Sequence, residues 1–294
     1  MTVLVTGATG TVGGALVPLL TDVGASGSPV VPVRVMVPSP EAADDLRGYD
    51  VEVVVGDLDR PETLDDALKG IDAAFLVAPA GPALAARELA FLDAVDRAPD
   101  RPHVVKLASL GWEDPQSRLS AGHGTVVERL RSAGLRHTVL APNGFMQDIL
   151  RFAAMVQEES ALLLPAGDGA VSHVDARDVA AVAAHVLGDP APHEGLSYVV
   201  TGPAALTYAE VAAHVGGVAG REISYRDSPP DEVRQRLLGY GWSEWTADGM
   251  LEVYAAYAAG AGAVVTDEVQ KATGRPARDF GAFLHSHAAA FRTV

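Results

Sequence analysis

Ser109 and His123 are the two residues whose types and spacing come nearest to acid–base chemistry. The serine ends the apolar stretch HVVKLAS, and the histidine follows it by fourteen residues. A hydroxyl at a strand end can hydrogen-bond a reacting group, and an imidazole titrates near neutral pH and can donate a proton. We predict both as catalytic residues. The alternative for His123 is a residue at a helix start that bonds only to backbone.

Many carbonyl reductases use a serine, then a tyrosine, then a lysine one helical turn beyond the tyrosine. Here His123 stands at the tyrosine position and Val127 at the lysine position, and no Tyr-x-x-x-Lys occurs in the sequence. The lysine lowers the tyrosine pKa in that arrangement, so we expect the usual relay to be missing.

Other catalytic patterns are absent from the sequence. It contains no cysteine, which excludes disulfides, thiolate nucleophiles and cysteine-ligated metals. The nine histidines are scattered, and no His-Glu-x-x-His, Gly-x-Ser-x-Gly or phosphate loop ending in Gly-Lys-Ser/Thr is present. We therefore predict no metal site.

The glycines at the start of the chain predict a nucleotide site. A short apolar strand, Val3 to Val5, leads into TGATGTVGG and then into an amphipathic helix. Glycines let the backbone approach a ligand closely, and the bare amides of a helix N-terminus favour a pyrophosphate. We predict that the cofactor-binding residues include Gly7, Thr9, Gly10, Thr11, Val12 and Gly13.

The ends of the next three strands should lie beside these glycines. The second strand ends at Pro38-Ser39, with neither the acidic residue that binds a ribose hydroxyl nor the arginine that binds a 2′-phosphate. Ser39 could reach either group weakly. Asp57 could accept from an adenine amino group with Leu58 against the ring, or it could simply close a turn. The fourth strand ends at Ala78-Pro79, and we include all six residues in the predicted cofactor site.

Composition limits the kind of partner. The 294 residues include 38 acidic and 22 basic side chains, a net charge of −16, and 48% are hydrophobic. Direct nucleic-acid binding needs a basic surface and is not expected. The longest apolar run, residues 253–265, is broken by glycines and too short to span a bilayer. A strand begins at once, so we expect no targeting segment and predict a cytoplasmic protein.

The order of apolar segments predicts the fold. Six short apolar strands alternate with helices up to Pro142, a pattern typical of a doubly wound parallel sheet of the Rossmann type. A surface loop is predicted at Gly24–Pro29. Beyond Pro142 the rhythm changes to helices joined by glycine and proline turns, with a helix predicted over Asn143–Glu159 and a last one over Asp279–Phe291. We predict a core of residues 1–142, completed by segments near 171–202, and a small, mainly helical substrate cap of residues 143–170 and 203–294.

Aromatic residues in the late helices are candidates for substrate binding. Tyr240, Trp242 and Trp245 could form a flat wall for a planar substrate, although residues at such spacing are more often part of a core. His173 ends an extended piece and could point into the same cleft, or it could be buried and hydrogen-bonded.

Together these stretches resemble the NmrA-like group of atypical short-chain dehydrogenase/reductases, which are NAD(P)H-binding and quinone-reductase-like. The resemblance covers nearly the whole chain in the order of the family. It is carried by TGATGTVG (6–13), GDL (56–58), FLVAP (75–79), VVKLASLG (104–111), HGTVVERLRSAGL (123–135), APNGFMQDIL (141–150), LPAGDGAVSHVDARDVA (164–180) and VVTGPAALTYAEVA (199–212).

The resemblance implies where a cofactor and its substrate lie. The dinucleotide would follow residues 7–13, and the nicotinamide would lie toward Ser109 and a segment that contains Asn143, Phe145 and Met146. The chain departs from the family at Pro38 and Ala141, where relatives usually carry arginine. The first departure leaves NAD and NADP both open.

The sequence therefore favours an NAD(P)H-dependent reductase of a quinone-like or conjugated aromatic small molecule, working without a Tyr/Lys pair. Hydride addition to such a compound needs little beyond positioning and charge stabilisation. Two alternatives remain. One is a dinucleotide-binding redox sensor that acts through a protein partner, and the other is a non-redox tailoring enzyme on the same fold. A homodimer is compatible with either class.

Overall fold

A computed structural model describes residues 1–22 and 31–292. The predicted loop Gly24–Pro29 lies outside the described residues. The described strands are β1 (Val3–Val5), β2 (Val33–Val37), β3 (Val51–Val55), β4 (Ala73–Leu76), β5 (His103–Leu107), β6 (His137–Pro142), β7 (Ala161–Leu164), β8 (Ala170–Val171), β9 (Ser197–Val200), β10 (Leu206–Thr207) and β11 (Ser224–Asp227).

The described α-helices alternate with these strands in the first half of the chain and dominate the second half. They are α1 (Gly13–Thr21), α2 (Leu64–Ala67), α3 (Leu84–Arg97), α4 (Arg118–Ser132), α5 (Ala153–Glu159), α6 (Ala176–Gly188), α7 (Tyr208–Ala219), α8 (Pro230–Gly239), α9 (Glu244–Ala258), α10 (Glu268–Thr273) and α11 (Phe280–Ser286). Short 3-10 segments occupy Pro40–Leu46, Pro61–Thr63, Met146–Phe152, Ala191–His193 and Ala288–Ala290.

Seven strands form one parallel sheet in the order β3-β2-β1-β4-β5-β6-β9. The strand order reverses between β1 and β4, which is where ligands bind in sheets of this kind, beyond the carboxyl ends of the strands. The predicted doubly wound α/β fold is confirmed.

Alternation along the strands divides the core into two layers. On β5, Val105 and Leu107 face the layer that contains α1 and α6, whereas Val104 faces the layer that contains α3 and α4. Side chains two residues apart share a face, so Lys106 faces the same way as Val104. A charged residue is thereby directed into a buried apolar layer.

The remaining elements pack around a separate cluster. Strands β7 and β11 pair in parallel, β8 and β10 pair antiparallel, and α5, α7, α8, α9 and α11 contribute buried side chains to the same cluster. The mainly helical character of this part agrees with the prediction. The boundaries drawn from the sequence for core and cap stay a prediction.

Two predicted helices are shorter in the structure. Asn143–Glu159 was expected to be one helix, but Phe145 forms a β-bridge with Val174, so a 3-10 segment begins only at Met146 and α5 at Ala153. The last helix, expected over Asp279–Phe291, ends at Ser286 and is followed by a 3-10 turn. In the described part of the chain, no helix has the length and hydropathy needed to cross a membrane.

Candidate functional site

The glycine turn, residues 7–13, joins the carboxyl end of β1 to the start of α1. Gly7 has a φ of +59°, a backbone conformation that favours glycine, and a side chain there would meet Val77. A Cβ on Gly13 would lie 2.1 Å from the Gly7 carbonyl oxygen. The sequence therefore needs glycine at both positions for the helix to start this close to the strand.

The outer side of the glycine turn is open. Gly7, Thr9, Gly10 and Thr11 are exposed, and within the described residues the N–H groups of Thr11 and Val12 donate to no backbone carbonyl. Free amides at the start of a nine-residue helix suit an anionic group such as a pyrophosphate. The residues present thus fit the dinucleotide that the sequence predicts.

The adenosine end, residues 37–39 and 57–60, lies at the carboxyl ends of β2 and β3. Pro38 is exposed and follows β2 directly, as the sequence indicates. Asp57 accepts hydrogen bonds from the Asp59 N–H at 2.9 Å and from Arg60 Nε at 3.2 Å, so it closes a turn. Closing a turn is the alternative role predicted for Asp57. The Asp57–Arg60 pair is partly exposed, so the carboxylate is still accessible to a ligand.

Arg60 supplies a positive charge that the sequence analysis did not identify at this end. Its Nη2 lies 3.4 Å from the carbonyl oxygen of Pro38, the residue that stands where relatives usually carry arginine. In the sequence, the sign of this charge is an arginine three residues after Asp57 in a tight turn. Only the fold shows that this turn lies beside the end of β2.

A cavity of about 450 Å³ opens at the carboxyl ends of β4, β5 and β6. Its walls are mostly apolar, and α9 with the following turn forms one side through Met250, Val253, Ala256, Tyr257 and Ala261. The polar groups on the walls include side chains of three predicted residues, Ser109, His123 and Asn143. Ala78 and Phe145 also line it.

The glycine turn and the cavity are neighbours. Thr6, which precedes Gly7, donates its hydroxyl to the Val77 carbonyl at 3.0 Å and accepts from the Val77 N–H at 2.9 Å. Val77 lines the cavity and also lies against Gly7. If a dinucleotide binds at the glycine turn, its nicotinamide ring can therefore enter the cavity directly.

At the cavity wall, His123 joins the buried pair of Lys106 and Glu88 to form a triad. Lys106 projects from β5 between α3 and α4, and Glu88 occupies the buried face of α3 one turn before Phe91 and Leu92. The side chains of Lys106 and Glu88 are fully buried. Neither residue was predicted from the sequence, although a lysine inside VVKLA and a glutamate on an apolar helix face are the signals that could have revealed them.

Lys106 Nζ contacts three acceptors. It lies 2.9 Å from both oxygens of Glu88 and donates to Oε1, it donates to the Leu107 carbonyl, and it lies 3.1 Å from Nδ1 of His123. An ammonium group has three N–H donors, so these three partners satisfy it. The network then assigns a lone pair to His123 Nδ1 and a proton to its Nε2.

Burial and charge set the protonation of the triad. Burial lowers the pKa of Lys106 and raises the pKa of Glu88, while their mutual attraction opposes both changes. Burial, and then the charge of Lys106, lower the pKa of His123 to about 2. A pKa this low leaves the imidazole neutral at physiological pH, unlike a free imidazole, which titrates near neutral pH.

Ser109 and Asn143, two other polar residues on the cavity wall, differ in how many hydrogen bonds they already make. Ser109 Oγ is buried and has no hydrogen-bond partner among the described residues. Asn143 is occupied: its Nδ2 donates to Ser172 and to the Gly262 carbonyl, and its Oδ1 accepts from the Gly144 N–H. Asn143 therefore holds the cavity wall together, and its predicted contact with a cofactor would need one of these bonds to be shared.

The predicted aromatic wall is not at the cavity. Trp242 stacks on Phe152 with ring centroids 6.2 Å apart and lies under the Arg151 guanidinium, and Tyr240 donates to Glu158. Neither these two residues, which precede α9, nor Trp245 on α9 lines the cavity, and the side chains that α9 presents to it include Met250, Val253 and Tyr257. The structure therefore places the three residues away from the cavity, and their substrate role stays a prediction.

Two further predicted substrate residues also lie elsewhere. Met146 is fully buried and packs with His173 around a separate small pocket beside Phe280. His173 Nδ1 is buried without a hydrogen-bond partner in the described structure, and burial lowers the pKa of His173 to about 4. Of the predicted substrate residues, only Phe145 lines the large cavity.

Comparisons with known proteins agree with this geometry. The NmrA-like family matches residues 1–267. The NAD(P)H azoreductase of Xenophilus azovorans is 38% identical over 291 residues, which cover 98% of this chain and 99% of that protein. The (4-alkanoyl-5-oxo-2,5-dihydrofuran-3-yl)methyl phosphate reductase of Streptomyces griseus is 34% identical over 293 residues, with 98% and 99% covered.

A solved structure supports the fold. The NADPH-dependent quinone oxidoreductase of Escherichia coli, solved with NADPH, superposes with a TM-score of 0.87 at 22% identity, covering 97% of this chain and 99% of that one. The parallel sheet with its glycine turn and cavity defines a Rossmann-type, dinucleotide-binding class of protein. The chain belongs to the NmrA-like family, and the predicted family is confirmed.

Proposed function

We propose that this protein reduces a planar, conjugated small molecule of the quinone or azo kind inside the cavity. It is an NAD(P)H-dependent oxidoreductase of the azoreductase and quinone-reductase type, as its relatives at 38% and 34% identity indicate. A nicotinamide dinucleotide supplies a hydride when it is bound. The residues of the chain then have to bind the acceptor, orient it and control its protonation.

The observation that carries this proposal is the cavity next to the glycine turn. Val77 touches the turn and lines the cavity, so the reactive end of the cofactor and an acceptor can meet there. About 450 Å³ with mostly apolar walls suits a flat aromatic compound of one or two rings. Positioning two reactants in this way removes much of the entropic barrier to hydride transfer.

The dinucleotide would be held along its length by groups in three places. The open amides near Thr11 and Val12 would bind the pyrophosphate. Asp57, Leu58 and Ser39 would lie at the adenosine, and Ala78 with Pro79 near a ribose. Both NADH and NADPH remain candidates, since Pro38 offers no charge while Arg60 lies within reach.

Stopped-flow measurement of NADH and NADPH absorbance with a panel of quinones and azo dyes tests the proposal. We expect oxidation of at least one cofactor that depends on the acceptor. No oxidation with any acceptor between pH 5 and 8 would contradict it.

A pair of variants on α9 links this turnover to the cavity. Ala256→Trp should fill the cavity and raise KM for the acceptor more than tenfold, while Ala255→Trp, on the exposed side of the same helix, should change it less than twofold. Equal effects would show that the acceptor binds elsewhere. A cytoplasmic location and a homodimer stay predictions, to be checked by fractionation and by sedimentation.

A further inference from the structure

His123 presents an unused hydrogen-bond donor to the cavity. Its Nδ1 contacts Lys106, and among the described residues its Nε2 has no hydrogen-bond partner. The ring lines the cavity, and Nε2 is not among the polar atoms that are both buried and unpartnered. The network places the proton on Nε2, so the side of the ring away from Lys106 offers an N–H to whatever occupies the cavity.

The reaction in the proposed function produces a group that needs such a donor. When a hydride adds to a quinone carbon, the π electrons move onto an oxygen, which becomes an anion until it gains a proton. An azo group leaves a nitrogen anion in the same way. Preorganised donors that face a developing anion inside an apolar site stabilise it strongly, and one such donor is commonly worth about 10²–10³ in rate.

We propose that His123 donates from Nε2 to this anion and that Lys106, held by Glu88, is the positioning residue that fixes the donor and replaces its proton. The inference rests on the proposed function. In the usual relay the lysine would stand at position 127 on α4 and contact the proton donor from there. Here Lys106 makes that contact from β5 instead.

The proton transfer balances without any oxidant or metal. The Nε2–H bond breaks and an O–H bond forms on the product, while Nδ1 takes a proton from Lys106 Nζ. The imidazole ends neutral in its other tautomer, and Lys106 ends as an amine beside the Glu88 carboxylate. After product leaves, Nε2 takes a proton from solvent in the cavity and Nδ1 returns its proton to the Lys106 amine, which restores both groups. Both electrons of the reduction arrive with the hydride.

The separation of the two ring nitrogens supplies a matched pair of variants. The side-chain amide of asparagine reaches the Nδ1 position, so His123→Asn can keep an acceptor for Lys106 but offers no donor to the cavity. Glutamine reaches the Nε2 position, so His123→Gln keeps a donor in the cavity and gives up the contact with Lys106. A merely structural histidine would be better replaced by asparagine, whereas a donor to substrate would be better replaced by glutamine.

Two acceptors separate anion stabilisation from hydride transfer itself. A 1,4-quinone becomes an anion on hydride addition, whereas a cationic diarylmethane dye, which also has two rings at most, becomes neutral and needs no proton. We expect His123→Asn to lower the ratio of quinone to dye kcat about 100-fold and His123→Gln to lower it less than tenfold. The double variant Lys106→Met with Glu88→Gln should lower the same ratio about tenfold, with KM for the quinone nearly constant.

Defined outcomes decide the inference. Equal losses for both acceptors in His123→Asn, or a His123→Asn enzyme faster with quinone than His123→Gln, would overturn it. Calorimetric binding of NADPH and thermal unfolding of each variant identify losses that come from misfolding. If the native enzyme reduces the dye but not the quinone, hydride transfer stands and the proposed role of His123 is wrong. If it reduces neither acceptor, the proposed function and the role of His123 are both wrong.

Discussion

The two ends of the proposed dinucleotide site handle charge in opposite ways. At the adenosine end, Arg60 and Asp57 form a pair whose side chains are 52% and 28% exposed. Under the cavity, Lys106 and Glu88 pair with no exposure at all. An exposed pair costs little to rearrange and contributes about 0–1 kcal/mol, whereas a buried pair is fixed before any ligand arrives.

This difference separates binding from chemistry. A flexible charged surface can adapt to a nucleotide phosphate and trade one partner for another. A developing anion in the cavity gains most from donors whose positions are already fixed, because no reorganisation is needed during the reaction. Under the proposed function, the adaptable charges lie where the nucleotide would bind and the fixed charges lie where the reaction would occur.

The largest expected effect comes from breaking the buried pair. Lys106→Met leaves the Glu88 carboxylate buried and without its cation, which should lower the free energy of unfolding by about 3–5 kcal/mol. Adding Glu88→Gln removes the unpaired carboxylate and should recover most of the lost free energy of unfolding. Urea unfolding at pH 7 measures both, with Arg60→Gln as the exposed counterpart at less than about 1 kcal/mol. A Lys106→Met loss no greater than that of Arg60→Gln would erase the distinction between the two ends.

The next effect tests the turn that joins the two ends. Gly13→Ala puts a Cβ 2.1 Å from the Gly7 carbonyl, so the start of α1 must shift, at a cost of about 1–3 kcal/mol in stability. We also expect NAD(P)H affinity to fall at least tenfold, because the open amides move with the helix. Gly14→Ala is the matched control, since its Cβ has no neighbour closer than 3.6 Å. Calorimetry and thermal unfolding give both quantities, and similar results for the two variants would argue against a glycine-dependent site.

The pH dependence of stability should also differ between the ends. Below pH 6.5 the unfolded imidazole of His123 gains a proton that the folded one, with its pKa lowered to about 2, does not. The unfolding free energy should therefore fall by about 1.4 kcal/mol per pH unit for this group as pH drops from 6.5 to 5. Arg87 lowers the pKa of Asp59 at the adenosine end, so the contribution of that carboxylate is lost only below about pH 4, the ordinary range of the group.

His123→Gln isolates this contribution. Urea unfolding between pH 7 and 5 should show a slope smaller by about one proton in the variant than in the native protein, with a neighbouring exposed change such as Gln116→Asn as control. Identical slopes would mean that His123 titrates in the fold as it does in the unfolded chain, and the donor role of its Nε2 would then need another basis.

Local patterns predicted what depends on neighbours in the sequence. Apolar strands alternating with helices gave the parallel sheet, and the glycine spacing gave the turn at Gly7 and Gly13. The same reasoning selected Ser109, just beyond β5, and His123, which lies on α4, and both line the cavity. These features follow from chain periodicity and from the edge at which parallel strands end.

What escaped prediction depends on contacts between distant segments. Lys106 was passed over because lysine is usually exposed, and nothing local shows that Glu88 lies opposite it. Trp245 was assigned to substrate because it is large and aromatic, but the rotation of α9 decides which of its side chains reach the cavity. Arg60 belongs to the same group, since only the pairing of β2 with β3 brings it to Pro38.

The smallest expected effect concerns Arg60 and the choice of nucleotide. If its guanidinium serves a 2′-phosphate in place of the arginine missing at position 38, Arg60→Gln should weaken NADPH binding about fivefold to tenfold and leave NADH binding within twofold. The size follows from one exposed charged hydrogen bond, on the order of 1 kcal/mol, and it should shrink further in high salt. Pro38→Arg should raise NADPH affinity in the Arg60→Gln background because it returns a cation to the end of β2. Calorimetry with both reduced cofactors measures the ratio of affinities, and a ratio that neither change alters would place the 2′-phosphate away from this turn.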